Sequence, residues 1–119
     1  MPVTAAEVIF SDEADATRAQ LHKTMGKEPK SIGKRIDYYQ QRLVEDCLAG
    51  EVIRFPLPRT AKRLELTHGR LQNLYCLDLP GFWRMLYTIV RADGKPYVYV
   101  LEIVDHAGYS AYFPGRKKR

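Results

Sequence analysis

Residues Leu71–Tyr112, LQNLYCLDLPGFWRMLYTIVRADGKPYVYVLEIVDHAGYSAY, decide the fold. They read as three β-strands, Leu71–Leu79, Phe82–Arg91 and Pro96–His106, because β-branched and aromatic residues are dense within them. Pro80-Gly81 and Asp93-Gly94 supply the turns. Connections this short join strands running in opposite directions, so the three form an antiparallel meander.

Two registers fit the second hairpin. Asp93-Gly94 suits a two-residue loop with both central residues at positive φ. Ala92-Asp93-Gly94 suits a three-residue loop with Gly94 left-handed. The three-residue loop sets Arg84 opposite Glu102 and puts His106 on their face, beside Phe82, Leu86, Thr88, Val98, Val100 and Val104. Trp83, Met85, Tyr87, Ile89, Tyr97, Tyr99, Leu101 and Ile103 then make an almost wholly apolar second face for helices to cover. This register removes every charge from the middle of the buried face, and the buried face specifies register. It is therefore the register expected. A single bulge would reverse the argument.

The chain has 119 residues, one domain with a real core. No apolar run approaches the ~20 residues of a membrane helix. The opening MPVTAAEVIFSDEADA lacks a basic n-region and turns acidic early, so no signal peptide and a cytoplasmic location are expected. Cys47 and Cys76 have no metal spacing and fall inside a helix and a strand, where buried thiols are expected. The net charge is +5, with Arg59, Lys62, Arg63 and Arg70 ahead of the sheet and Arg116–Arg119 at the tail. That excess suggests a polyanionic partner. The plainer alternative is a solvated face and a frayed tail.

Ahead of the meander, EVIF (7–10) reads as a first strand. Ser11 is an N-cap, and Asp12, Glu13 and Asp15 suit the positive end of a helix running to about Met25. Gly26 to Lys30 reads as a loop because of Pro29. Ser31 then caps a second helix, whose stripe of Ile32, Ile36, Tyr39, Leu43 and Cys47 ends at Gly50. The two helices form an antiparallel pair over the tyrosine-rich sheet face. Pro56 and Pro58 make Glu51–Pro58 an extended connector. Thr60–Leu66 reads as a short helix, and His68-Gly69 turns the chain into the sheet.

His22, His68 and His106 are isolated in sequence, so no metal site is predicted. The glycines are solitary and give no phosphate loop, and G-x-S-x-G is absent. Arg84, Glu102, His106, Tyr109 and Tyr112 remain, framed by basic residues. Cleaving RNA without a metal needs a base for the 2′-hydroxyl, an acid for the 5′-oxygen, a cation for the phosphate and a support for the flanking bases. His serves as acid or base near neutral pH. Arg offers a fork that matches phosphate, and Tyr stacks on bases. The residues alone lead to an RNA-binding α+β domain with a possible active site. Individually, His106 also reads as a surface histidine and Arg84 as a salt bridge to Glu102.

With these residues the sequence resembles the RelE/ParE-type toxin superfamily of toxin–antitoxin systems, in particular the RelE-like mRNA interferases. NLYCLDLPGFWRMLYTI (73–89) and VYVLEIVDHAGYSAYF (98–113) carry the resemblance. They contain a leucine-rich strand, then an aromatic–Arg–x–x–Tyr strand (Trp83, Arg84, Tyr87), then an apolar strand ending in a basic residue with Tyr beyond it. The resemblance implies one α+β domain over residues 1–119, an N-terminal strand and a two-helix hairpin packed on a curved antiparallel sheet. It implies a toxin that is a cofactor-free, metal-independent endoribonuclease, cleaving mRNA at the ribosome by 2′-hydroxyl attack. The implied partners are mRNA, the ribosome and a cognate antitoxin protein, with no membrane. By this resemblance Arg84 binds phosphate, His106 is the acid or base, and Tyr109, or else Tyr112, stacks or assists proton transfer. Arg63 and Arg70 contact the RNA backbone, with Arg116 and Lys117 as accessory phosphate contacts. His106 stands where many members carry arginine, which reopens the acid–base assignment. Two alternatives compete with cleavage: a non-catalytic binder on the same fold (a gyrase-directed toxin or an inactive antitoxin-binding relic), and an interaction domain whose tail holds nucleic acid through charge alone.

Overall fold

The computed structural model describes residues 3–115, so Arg116 and Lys117 lie outside the described residues. The chain order is β1 (Val8–Phe10), α1 (Asp12–Lys23), α2 (Lys27–Glu45), β2 (Glu51–Val52), α3 (Arg63–His68), β3 (Tyr75–Asp78), a 3₁₀ turn at Pro80–Phe82, β4 (Arg84–Ala92), β5 (Lys95–Val104) and α4 (His106–Tyr112). The strands form one sheet in the order β1-β5-β4-β3-β2. The expected meander is β3-β4-β5, all antiparallel, and β1 adds to it in parallel beside β5. This is the expected α+β architecture, with a mixed sheet.

Ser11 caps α1 as its sequence requires, its Oγ accepting from the Ala14 N–H at 3.0 Å. The second helix begins earlier than Ser31. Gly26 turns the chain with φ 124°, and α2 starts at Lys27 with Pro29 inside its first turn. Proline is tolerated there because the first N–H groups of a helix have no partner within it. The helix also stops earlier, with Asp46 and not Gly50 at its end.

The hairpin takes the two-residue loop. Asp93 (φ 54°) and Gly94 (φ 76°) are both left-handed, and Ala92 pairs with Lys95. The pairing continues to Tyr87↔Val100. A bulge between Leu86 and Tyr87 then slips the register, so that Leu86 faces Glu102 and Arg84 faces Val104. The expected Arg84–Glu102 pairing is thus corrected. The bulge returns Arg84, Glu102 and Val104 to one face, while nearer the turn the faces are exchanged. Val98 and Val100 join Met85, Tyr87 and Ile103 against α1 and α2. Tyr99 and Leu101, expected there, instead join Leu86 on the opposite side.

That opposite side is a second core rather than an open face. Ile53 and Leu57 from the connector, Ala61 just ahead of α3, Leu64 from α3, Leu71 and Leu74 from the following loop, and Tyr109 and Phe113 at the C-terminal end all pack there. The last strand also ends earlier than His106. Asp105 caps α4, its Oδ1 accepting from the Gly108 N–H at 2.8 Å, and the helix turns Tyr109 back over the sheet. Cys47 and Cys76 are both buried thiols, and burial pushes the Cys47 thiol pKa up.

Candidate functional site

Arg84 opens β4 and points into the second core, only 5% exposed. A buried guanidinium needs compensating partners. Its Nε lies 3.3 Å from Asp78 Oδ1, at the end of the neighbouring β3, and its plane lies 5.0 Å over the Tyr109 ring. The sheet supplies Asp78, because Asp78 and Arg84 are paired in register. Helix α4 supplies Tyr109. Arg84 therefore ion-pairs with Asp78, and Glu102 is engaged elsewhere.

Tyr109 is 8% exposed and lies beneath the guanidinium. It is placed to support Arg84, and its ring does not face solvent as a base-stacking platform would. His106 begins α4 two residues past Val104, the strand partner of Arg84, and it is exposed. The His106 ring lies 6.2 Å, edge to face, from Phe82. Phe82 follows Gly81 in the 3₁₀ turn, with φ 64° and 59% exposure. A non-glycine residue held left-handed costs about 1–3 kcal/mol, and such residues concentrate at functional sites. Gly81, Phe82, Asp105, His106 and Ala107 line one shallow pocket.

Two residues further along the strands lies a second cluster. Glu102 Oε1 accepts the Tyr112 hydroxyl at 2.8 Å, and Glu102 Oε2 lies 3.1 Å from His68 Nε2. The His68 side chain is almost wholly buried, with Glu13 Oε1 4.0 Å from Nδ1. Burial, and after it the hydrogen bond to Glu102, push the Tyr112 phenol up to about 12. Tyr112 is thus a neutral donor at physiological pH. Arg63 covers it, with the guanidinium 5.1 Å from the ring and Nε donating to the Thr60 carbonyl.

The predicted site residues therefore divide. Arg84, Tyr109 and His106 gather at one end of β4–β5. Tyr112 and Arg63 adjoin them around Glu102. Arg70 does not join them. It lines a cleft that runs from His68 and Tyr99 to Arg91 and Pro96 by the hairpin turn, and Arg84, Tyr109 and His106 are not among the residues of that cleft. Sequence reasoning missed Asp78, Phe82 and His68. An acid at the end of β3 and an aromatic after Pro-Gly were visible signals for the first two. His68 reads locally as a turn residue, and nothing in the sequence links it to Glu102.

No family model and no curated protein matches the chain. Among solved structures, a mutant of the E. coli toxin RelE in the free state matches with a TM-score of 0.52 and 13% identity, over 92% of each chain. At this identity the likeness is one of fold, and the protein has a RelE-like fold.

Proposed function

We propose that the protein is the toxin of a toxin–antitoxin pair and a cytoplasmic endoribonuclease that cuts mRNA at the ribosome. The observation that supports this reading is that Arg84 and the exposed His106, two residues past the strand partner of Arg84, lie at the same end of β4–β5 in a RelE-like sheet. Arg84 binds the scissile phosphate, an oxygen of which replaces the Asp78 carboxylate on the guanidinium fork. His106 moves the proton, as base to the 2′-hydroxyl or as acid to the 5′-oxygen. The 2′-oxygen forms a bond to phosphorus and the bond to the 5′-oxygen breaks. The products are a 2′,3′-cyclic phosphate and a 5′-hydroxyl. Tyr109 holds the arginine in place. Tyr112 and Arg63 line the approach, and a cognate antitoxin protein neutralises the toxin.

The products test the chemistry. Fragments from this reaction accept a 5′-label from polynucleotide kinase without prior phosphatase treatment. Fragments that require phosphatase would contradict 2′-hydroxyl attack. One observation favours a second reading, a non-catalytic binder on the same fold: Arg84 is covered and already paired. A supercoiling assay separates the two, because inhibition of gyrase with intact mRNA belongs to the binder.

A further inference from the structure

We propose that the N-terminal half of α2 is a surface for the phosphate backbone of single-stranded RNA, continuing the path away from the Arg84–His106 end. This deepens the RNA reading above and rests on it. Lys27, Lys30, Ser31, Lys34, Arg35 and Tyr38 line one open groove along the helix. Residues three and four apart share a helix face, so this sequence spacing makes one stripe. At 1.5 Å per residue the stripe extends about 16 Å.

The stripe is not neutralised. None of Lys27, Lys30, Lys34 and Arg35 makes an ion pair among the described residues. The acids nearest in sequence face other groups. Asp37 Oδ2 lies 3.4 Å from His22 Nε2. Glu28 packs against the Pro80–Phe82 turn, so closely that a Cβ on Gly81 would lie 3.1 Å from its Oε2. Further along the same helix the pattern changes, and Arg42 lies near Glu45 and Asp46.

Two features select single-stranded RNA over an acidic protein. Tyr38 is 54% exposed at the far end of the stripe, with Arg35 5.3 Å from its ring. An aromatic face beside fixed cations suits unstacked bases between phosphates. The stripe also begins beside Glu28, which packs on the turn that presents Phe82 beside His106. A strand leaving that pocket over the Glu28–Gly81 contact meets Lys27 and Lys30 next.

The test is fluorescence anisotropy of a labelled oligouridylate across a KCl series, with ribosome-dependent cleavage measured on the same proteins. Lys30→Gln/Lys34→Gln is compared with Arg91→Gln/Lys95→Gln, which removes the same charge at the hairpin turn. Each phosphate contact contributes about 0.7 to the slope of log K against log salt for single strands. The α2 pair is expected to lower the slope by about 1.4 and the control pair to leave it unchanged. Tyr38→Ala is expected to weaken binding with no change in slope. Equal slopes for the two pairs, in a protein that still cuts mRNA, would overturn the α2 surface and leave the nuclease standing. A slope lost through α2 in a protein that never cuts would support the surface and end the cleavage reading. Unaltered RNA binding with lost retention on poly-glutamate would overturn the proposal in favour of an acidic protein partner.

Discussion

Arg84 and Tyr87 sit three residues apart on one strand and do opposite work. Tyr87 is fully buried, its hydroxyl donating to the Cys47 carbonyl at 2.8 Å and accepting from the Gly50 N–H at 2.9 Å. It ties the chain after α2 to the sheet. Tyr87→Phe leaves both backbone groups unpaired and is expected to cost about 2–3 kcal/mol in denaturant unfolding. In the proposed reaction Arg84 holds the phosphate, and Arg84→Lys keeps its charge while losing the fork and the contact of the guanidinium with the Tyr109 ring. Cleavage is expected to fall at least about 100-fold with the fold intact by circular dichroism. Burial, and after it Glu102, hold the Tyr112 proton. The folded state holds that proton more tightly than the unfolded chain, whose phenol titrates near 10. The resulting stability is complete below about pH 10 and is lost as pH rises towards about 12. Glu102→Gln removes the carboxylate but not the burial, so the Tyr112 pKa should fall part of the way to 10, read by NMR of labelled tyrosine. That Arg84 starts β4 and His106 follows β5 was legible from strand order, although the register expected to join their faces was not the one formed. Asp78 and His68 were not legible, because their partnerships arise from register and a long return of the chain.

The elements explain which expectations failed. Alternating apolar residues announced β4 and β5, and Asp93-Gly94 announced their turn. The bulge is invisible in that pattern, because Val98, Val100, Tyr99 and Leu101 suit either face equally well. Helix α4 has only seven residues, too few for helical periodicity to stand out beyond an apolar strand. Pro29 misled because proline stops a helix interior and not its first turn. Ser11 was read correctly, since its capping role depends on local sequence alone. It also donates to the Leu101 carbonyl and so fixes the start of α1 to β5 near the bulge. Ser11→Ala is expected to destabilise the protein by about 1–2 kcal/mol, seen as a lower Tm. Loss of less than a few tenths would show that the cap and the tie to β5 contribute nothing.

The whole molecule is one sheet between two apolar layers, the helix pair on one side and the connector, α3 and α4 on the other. The sequence made the first layer plain through the α2 stripe. It hid the second, whose residues come from a proline-bearing connector and a short terminal helix. That second layer shapes the candidate site, because it buries Arg84 against Tyr109 and leaves His106 exposed at the start of α4. We propose that this edge cuts mRNA on the ribosome. Primer extension on an mRNA in translating ribosomes, with the unaltered protein beside His106→Ala, tests it most directly. Defined cuts are expected with the unaltered protein, and their loss with His106→Ala. Cuts of equal strength from both would remove His106 from the chemistry, and the absence of cuts from the unaltered protein would contradict the nuclease.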